Sequence, residues 1–347
     1  MYHRMPFILS MAVSLVLLFT FNVSSGSLEP PDQPGSTMKT LDQVQPCTPV
    51  QSLAGDASAT HIITGSGSYY LSANITGESG KHGILVQADN VTIDLKGFSL
   101  IGGAGSLDGI HFEEGTIAGM VVNGMLRGWG EDGLDGETLT AGRFEDMTCE
   151  GNGGTGIQLG IDSLASGCLL RENGGYGVNG NDNCMVHNCI ARENSVGGFR
   201  LYSGGVIDGC VAERTGPAGI LVQYESTVQN CLSSFNGSGI EINEGNSVKN
   251  NNCVSNYDSG IQCSGKRNSI DSNSIATRSS GTGIKMLETS GSNILLRNTV
   301  VIEGSAVAYD IPSGSGTAYG PIVDVTGAGD ISSVSNATSH PWANFVY

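Results

Sequence analysis

Apolar and polar residues alternate along this chain in short bursts, and each burst opens with a glycine followed by a bulky apolar residue. Ten such pairs occur: Gly83-Ile84, Gly109-Ile110, Gly133-Leu134, Gly156-Ile157, Gly177-Val178, Gly198-Phe199, Gly219-Ile220, Gly239-Ile240, Gly260-Ile261 and Gly283-Ile284. The glycines follow one another at steps of 26, 24, 23, 21, 21, 21, 20, 21 and 23 residues. A period in the low twenties indicates one structural unit per repeat, stacked into a solenoid. Short β-type runs and Gly/Asn-rich bends fill each unit, and almost no stretch reads as an amphipathic helix. Helical repeats are thereby excluded, and the pattern predicts an all-β fold, a single parallel β-helix of about ten coils.

Successive side chains of a strand point to opposite faces, so the residue after each glycine and the one two further on share a side. That set is apolar throughout: Ile84/Val86, Ile110/Phe112, Ile157/Leu159, Phe199/Leu201, Ile220/Val222, Ile240/Ile242 and Ile284/Met286. It is expected to face inward. The outward set is then Leu85, His111, Asp135, Gln158, Asn179, Arg200, Leu221, Glu241, Gln262 and Lys285, with Gln87, Glu113, Glu137, Asn181, Tyr202, Gln223 and Asn243 one outward position further along. Amides and an aromatic ring suit a lattice of sugar hydroxyls. The expected ligand-binding stripe comprises His111, Glu113, Asp135, Glu137, Gln158, Asn179, Arg200 and Tyr202.

The densest ionisable cluster falls on the early coils, where Asp108, Glu131 and Asp132 lie on turns next to His111, Glu113, Asp135 and Glu137. Acids at coil spacing raise one another's pKa or recruit a cation, which makes Glu113, Asp135 and Glu137 candidate ligands for Ca²⁺. Carboxylate pairs can run glycoside hydrolysis; a lyase would add a cation and a base. Candidate catalytic residues are therefore His111, Asp135, Glu137 and Arg200. A solvated polar face is the competing reading of the same stripe.

Residues 1–25 read as a secretory signal: His3 and Arg4, an apolar stretch from Pro6 to Phe21, then Val23-Ser24-Ser25. A retained anchor is the alternative. A proline-bearing linker and N-terminal cap is expected over 26–60, the β-helix over 61–310, and a C-terminal cap over 311–347 with Trp342 and Phe345 as plugs. The chain carries 16 Lys and Arg against 33 Asp and Glu, a net charge of −17. Removing the leader takes one arginine and no acid. Such a surface repels nucleic acid and anionic membranes, which leaves neutral glycans or acidic ones bridged by cations.

Cys149, Cys168, Cys189, Cys210, Cys231 and Cys253 recur at close to the coil period. They are expected to form a stack of buried, reduced thiols with parallel side chains, unsuited to disulfides; Cys47 is expected to lie outside the solenoid. Asn152, Asn173, Asn194, Asn236 and Asn256, with Thr215 in one place, precede the glycines by three or four residues. Asparagine tolerates left-handed backbone, so these are expected at sharp bends, their amides bonded from coil to coil. Sequons occur at Asn74, Asn90, Asn236 and Asn336.

Several segments resemble exported bacterial right-handed parallel β-helix repeat proteins of the pectin-lyase-like superfamily. They are Thr37–Val44, Gly67-Ser68-Tyr69-Tyr70-Leu71, Val91–Phe98, Gly105–Ile110, Arg127-Gly128-Trp129-Gly130 and Pro341-Trp342-Ala343-Asn344-Phe345. The resemblance implies a right-handed coil and, by analogy with enzymes of the wider superfamily, a groove along the outer face of one sheet. It implies no activity. The Asn-Thr-Asp, Asp-Asp, Gly-His-Gly and Arg-Ile-Lys signatures of pectinolytic enzymes are missing. The sequence therefore points to a secreted or cell-surface protein that binds a polysaccharide or cell-surface glycan or serves as a matrix component. A polysaccharide lyase or hydrolase with its site on the early coils is the alternative.

Overall fold

The computed structural model describes residues 47–287, 291–326 and 340–347. The leader and most of the expected linker lie outside these residues. The described chain is an all-β solenoid whose strands pair in parallel. One sheet holds twelve strands, each from a successive coil; the remaining strands form a second, 24-stranded sheet that wraps the other sides. There are about 13 turns rather than ten, because parallel pairing already begins at Cys47–Pro49 and Ala59–Ile63 and a last partial turn is completed by Asn344–Val346. Cys47 is thus part of the first coil, half-buried rather than outside it.

The alternation holds residue by residue. Every residue of the inward set is at most 1% exposed. The glycine in front of it is needed for close approach: a Cβ on Gly198 would stand 2.4 Å from the carbonyl oxygen of Gly219, its counterpart one coil on. The same contact recurs up the row, which is why the glycine, more than the apolar residue, keeps the period.

Each coil turns at corners where one residue has positive φ and the next is buried. Gly151, Glu172, Glu193, Arg214, Phe235 and Ser255 are left-handed; the buried residues after them are Asn152, Asn173, Asn194, Thr215, Asn236 and Asn256. The asparagines are therefore not the left-handed residues. Their job is the ladder: Asn152 Nδ2 donates to Asn173 Oδ1 at 2.9 Å, and Asn173 Nδ2 to Asn194 Oδ1 at 2.9 Å. Buried amides need such partners, because an unsatisfied one costs about 1–3 kcal/mol. Asn236, 1% exposed, is unavailable as a sequon.

A second corner carries Cys168, Cys189, Cys210 and Cys231, then Asn251, Asn273 and Asn298. The Cys168 N–H points at Cys189 Sγ, 3.4 Å away, as the later N–H groups point at asparagine Oδ1. The six-cysteine stack is thereby corrected. Cys149 and Cys253 lie on strands facing the core, with Cys149 in register with Leu170 and Cys253 with Ser233. All nine thiols are free, eight of them buried.

The large core aromatics are Trp129, Phe112, Phe144 and Phe199. Trp342 is not a plug: it is 54% exposed, while Phe345 is half-buried against Val323, Val325 and Ala343.

Candidate functional site

The outer face of the twelve-stranded sheet carries one uninterrupted row. Leu85 pairs with His111, His111 with Asp135, Asp135 with Gln158, Gln158 with Asn179, and Asn179 with Arg200. A second outward row lies just before the glycines, where three consecutive coils place His82, Asp108 and Asp132. The two rows meet at Asp108. Its carboxylate, 5% exposed, lies 3.2 Å from His82 Nδ1 and 3.2 Å from His111 Nδ1. The same His111 nitrogen lies 2.9 Å from Asp135 Oδ2. The backbone N–H of Asp132 donates to Asp108 Oδ1 at 2.8 Å, and the two imidazoles stack with centroids 4.5 Å apart.

The electrostatics follow. Hydrogen bonds to Asp108 and then Asp135 push the His111 pKa up to about 10, against the cost of burial. Burial alone would raise Asp108, but donors from His111, His82 and the Asp132 backbone outweigh it and hold the carboxyl at about 2. For Asp132 burial wins. With help from the charges of Asp108 and Asp135, and despite hydrogen bonds from the Thr155 N–H and Gln158, it rises to about 6. The cluster thus holds a fixed imidazolium beside a carboxyl that exchanges its proton near neutral pH.

Glu113 and Glu137 stand at the exposed ends of their strands. Among the described residues, the donor atoms that gather within 4.8 Å are those of His82, Asp108 and His111, a set that leaves out the expected cation ligands Glu113, Asp135 and Glu137. The rings of His82 and His111 are inclined by 25°, and both Nδ1 atoms lie 3.2 Å from the same oxygen, Asp108 Oδ2.

Further along the row Asn179 Nδ2 donates to Gln158 Oε1 at 2.8 Å, and Arg200 donates to Asn179 Oδ1 at 3.3 Å. Tyr202 is exposed and meets Tyr224 edge-on, centroids 5.6 Å apart. One to three coils beyond Arg200, the face holds a 270 Å³ depression lined by Leu221, Gln223, Glu241, Asn243 and Gln262.

The model of the "right handed beta helix region" matches residues 56–233 and 178–336. The chain belongs to the right-handed β-helix family. No curated protein sequence matches it. Among solved structures, it is similar to the A-module of Azotobacter vinelandii mannuronan C-5 epimerase AlgE6, at 17% identity and TM-score 0.64, over 79% of this chain and 88% of that one. The AlgE4 A-module from the same organism follows at 15% identity and TM-score 0.62, over 76% and 87%. At these identities the likeness concerns the β-helix fold.

His82 was not among the residues expected from the outward rows, and Asp108 and Asp132 entered only as neighbours. Strand alternation hid them: the residue before each glycine is two positions from the inward apolar residue and so reads as inward, although there the early coils carry His, Asp, Asp.

Proposed function

We propose that this β-helix protein binds a polysaccharide along the outer face of its twelve-stranded sheet and performs acid–base chemistry on it at the early coils. One observation carries the reading: His111 is held between Asp108 and Asp135, next to a part-buried Asp132 raised to about 6. A group with that pKa can take and return a proton at neutral pH. With its Nδ1 committed to carboxylates, His111 keeps its other N–H for a sugar oxygen, where an imidazolium would stabilise developing negative charge. Asp108 would act as a positioning residue for both imidazoles. That the similar A-modules are named as epimerases of a polysaccharide supports the choice of ligand. Export on the leader at residues 1–25 would bring the protein to such ligands.

The amide-rich row and the depression at Gln223, Asn243 and Gln262 favour a second reading, passive glycan binding without turnover. The two readings separate in one experiment. Purified protein is incubated with a panel of polysaccharides, with and without Ca²⁺, and both binding and sugar products are followed for the wild type, Asp132→Asn and His111→Gln. Acid–base catalysis predicts product from the wild type and at least about a hundredfold less from either variant, with binding of the same glycan kept by Asp132→Asn. Binding without product from the wild type leaves the passive reading. No binding to any glycan overturns both.

A further inference from the structure

We propose that Arg200 and Tyr202 form a second subsite, four coils from the His111 centre, that recognises an anionic group, carboxylate or sulfate, on the glycan. The proposal rests on the glycan reading above and names a feature of its ligand.

Arg200 is a half-buried cation in a chain with twice as many acids as bases. Nine other lysines and arginines among the described residues sit in ion pairs. Arg200 does not. Its recorded contacts are the hydrogen bond to Asn179 Oδ1 and the ring of Tyr176, 6.0 Å from its guanidinium carbon. The surroundings explain this. Its neighbours in register are Asn179 and Leu221, and the flanking outward positions hold Tyr176, Asn181, Tyr202 and Gln223. No carboxylate occurs in that patch, although acids dominate the coils on its N-terminal side.

The guanidinium is also oriented. Asn179 gives its N–H to Gln158, which leaves its carbonyl oxygen aimed at Arg200. One of the five guanidinium donors is thereby fixed and the others remain for a ligand, in the fork that matches planar oxyanions. Tyr202, on the same strand and the same face, is 45% exposed with its ring steadied edge-on by Tyr224. An aromatic surface beside a cation is what the apolar face and charged substituent of an acidic sugar require.

Four strand steps separate Arg200 from His111, about 19 Å at the interstrand spacing of parallel sheets. A chain bound at both places must span several sugar rings. The subsite therefore selects polymers over short oligosaccharides, using contacts remote from the proton-transfer centre.

Calorimetric titrations test this with three size-matched ladders: oligouronates, sulfated oligosaccharides and neutral malto- and cello-oligosaccharides, each at 50 and 200 mM salt. The wild type should bind the anionic chains better once they are long enough to span both places. Arg200→Gln should weaken that binding about tenfold or more and flatten its salt dependence, with melting temperature unchanged and Arg200→Lys partly restoring it. The uronate and sulfate arms identify the anion. Wild-type binding to neutral chains alone, or an Arg200→Gln variant that holds anionic chains as tightly, overturns the subsite while leaving the glycan reading in place. A wild type that binds none of the ladders overturns both.

Discussion

His111 Nδ1 and Asp135 Oδ2 stand 2.9 Å apart on neighbouring strands of the outer face, and the same nitrogen reaches the buried Asp108. An imidazole placed between two carboxylates stays charged in the folded protein. Because its folded pKa, about 10, lies above the ordinary 6.5, its contribution to stability is complete below pH 6.5 and is lost as pH rises through 10. Asp108, held at about 2, contributes above the ordinary carboxyl pKa and loses its share only as pH falls through 2. Across the neutral range His111 and Asp108 therefore keep their charges, while Asp132, raised to about 6, changes its own.

Asp132 works in the opposite sense. Its pKa is raised from 3.8 to about 6, so ionisation opposes folding, and the penalty grows between those pH values and is full above 6. Asp132→Asn keeps an acceptor for the Thr155 N–H, which Asp132 Oδ1 now meets at 2.5 Å, and removes the charge. The variant should be more stable than the wild type by about 1–2 kcal/mol at pH 7.5, allowing for partial solvent contact, and by little at pH 4. Thermal unfolding of both proteins at the two pH values measures the gap. A gap that does not change with pH would contradict the assignment of Asp132 as the titrating carboxyl.

The second corner makes a prediction about chemistry rather than charge. Cys231 precedes Asn251 in its row, and its own N–H donates to Asn251 Oδ1 at 2.9 Å. Cys231→Asn would extend the asparagine ladder by one rung, since the new amide can donate to the Ile207 carbonyl that the thiol now faces at 3.7 Å. Stability should stay within about 1 kcal/mol of the wild type, whereas Cys231→Leu should lose about 2 kcal/mol or more by crowding the corner and removing the polar partner. Chemical denaturation ranks the two, and thiol labelling of the folded wild type should modify Cys47 alone. Equal losses from both substitutions would show that the row does not use the residue as a hydrogen-bonding rung.

The inward set could be read from the sequence because burial demands an apolar residue at every coil, and the glycine row because backbone approach admits nothing larger. Corners were harder. At the second one the residue changes from cysteine to asparagine between Cys231 and Asn251, so a thiol pattern hides an acceptor pattern. A coil step of 20 residues, with Leu232 opposite Asn252, carries Cys253 onto a core-facing strand position although it lies 22 residues from Cys231. In the candidate site, His111 and Asp135 were legible as neighbours in one outward row. What joins them to His82 is the side chain of Asp108, which crosses between rows, and a one-dimensional period does not encode such a crossing.

The glycine row gives the last prediction, by contrast with glycines at corners. At Gly198 an added Cβ would meet the Gly219 carbonyl oxygen at 2.4 Å, a fixed part of the next coil, and Ala212 Cβ at 2.9 Å, on the strand Val211–Glu213 that leads to it. At Gly151 nothing lies within 4 Å, and the obstacle is only φ of +64°, which other corners of this protein tolerate with Glu172 or Phe235. Gly151→Ala should therefore cost about 1 kcal/mol, and Gly198→Ala about 3 kcal/mol or more, because two coils must separate to admit a methyl group. Solenoid units contact mainly their neighbours, so hydrogen exchange in Gly198→Ala should accelerate around Gly198 and Gly219 and stay slow near His111. Equal costs, or faster exchange spread evenly from Cys47 onward, would mean that the glycine row does not set the spacing between coils.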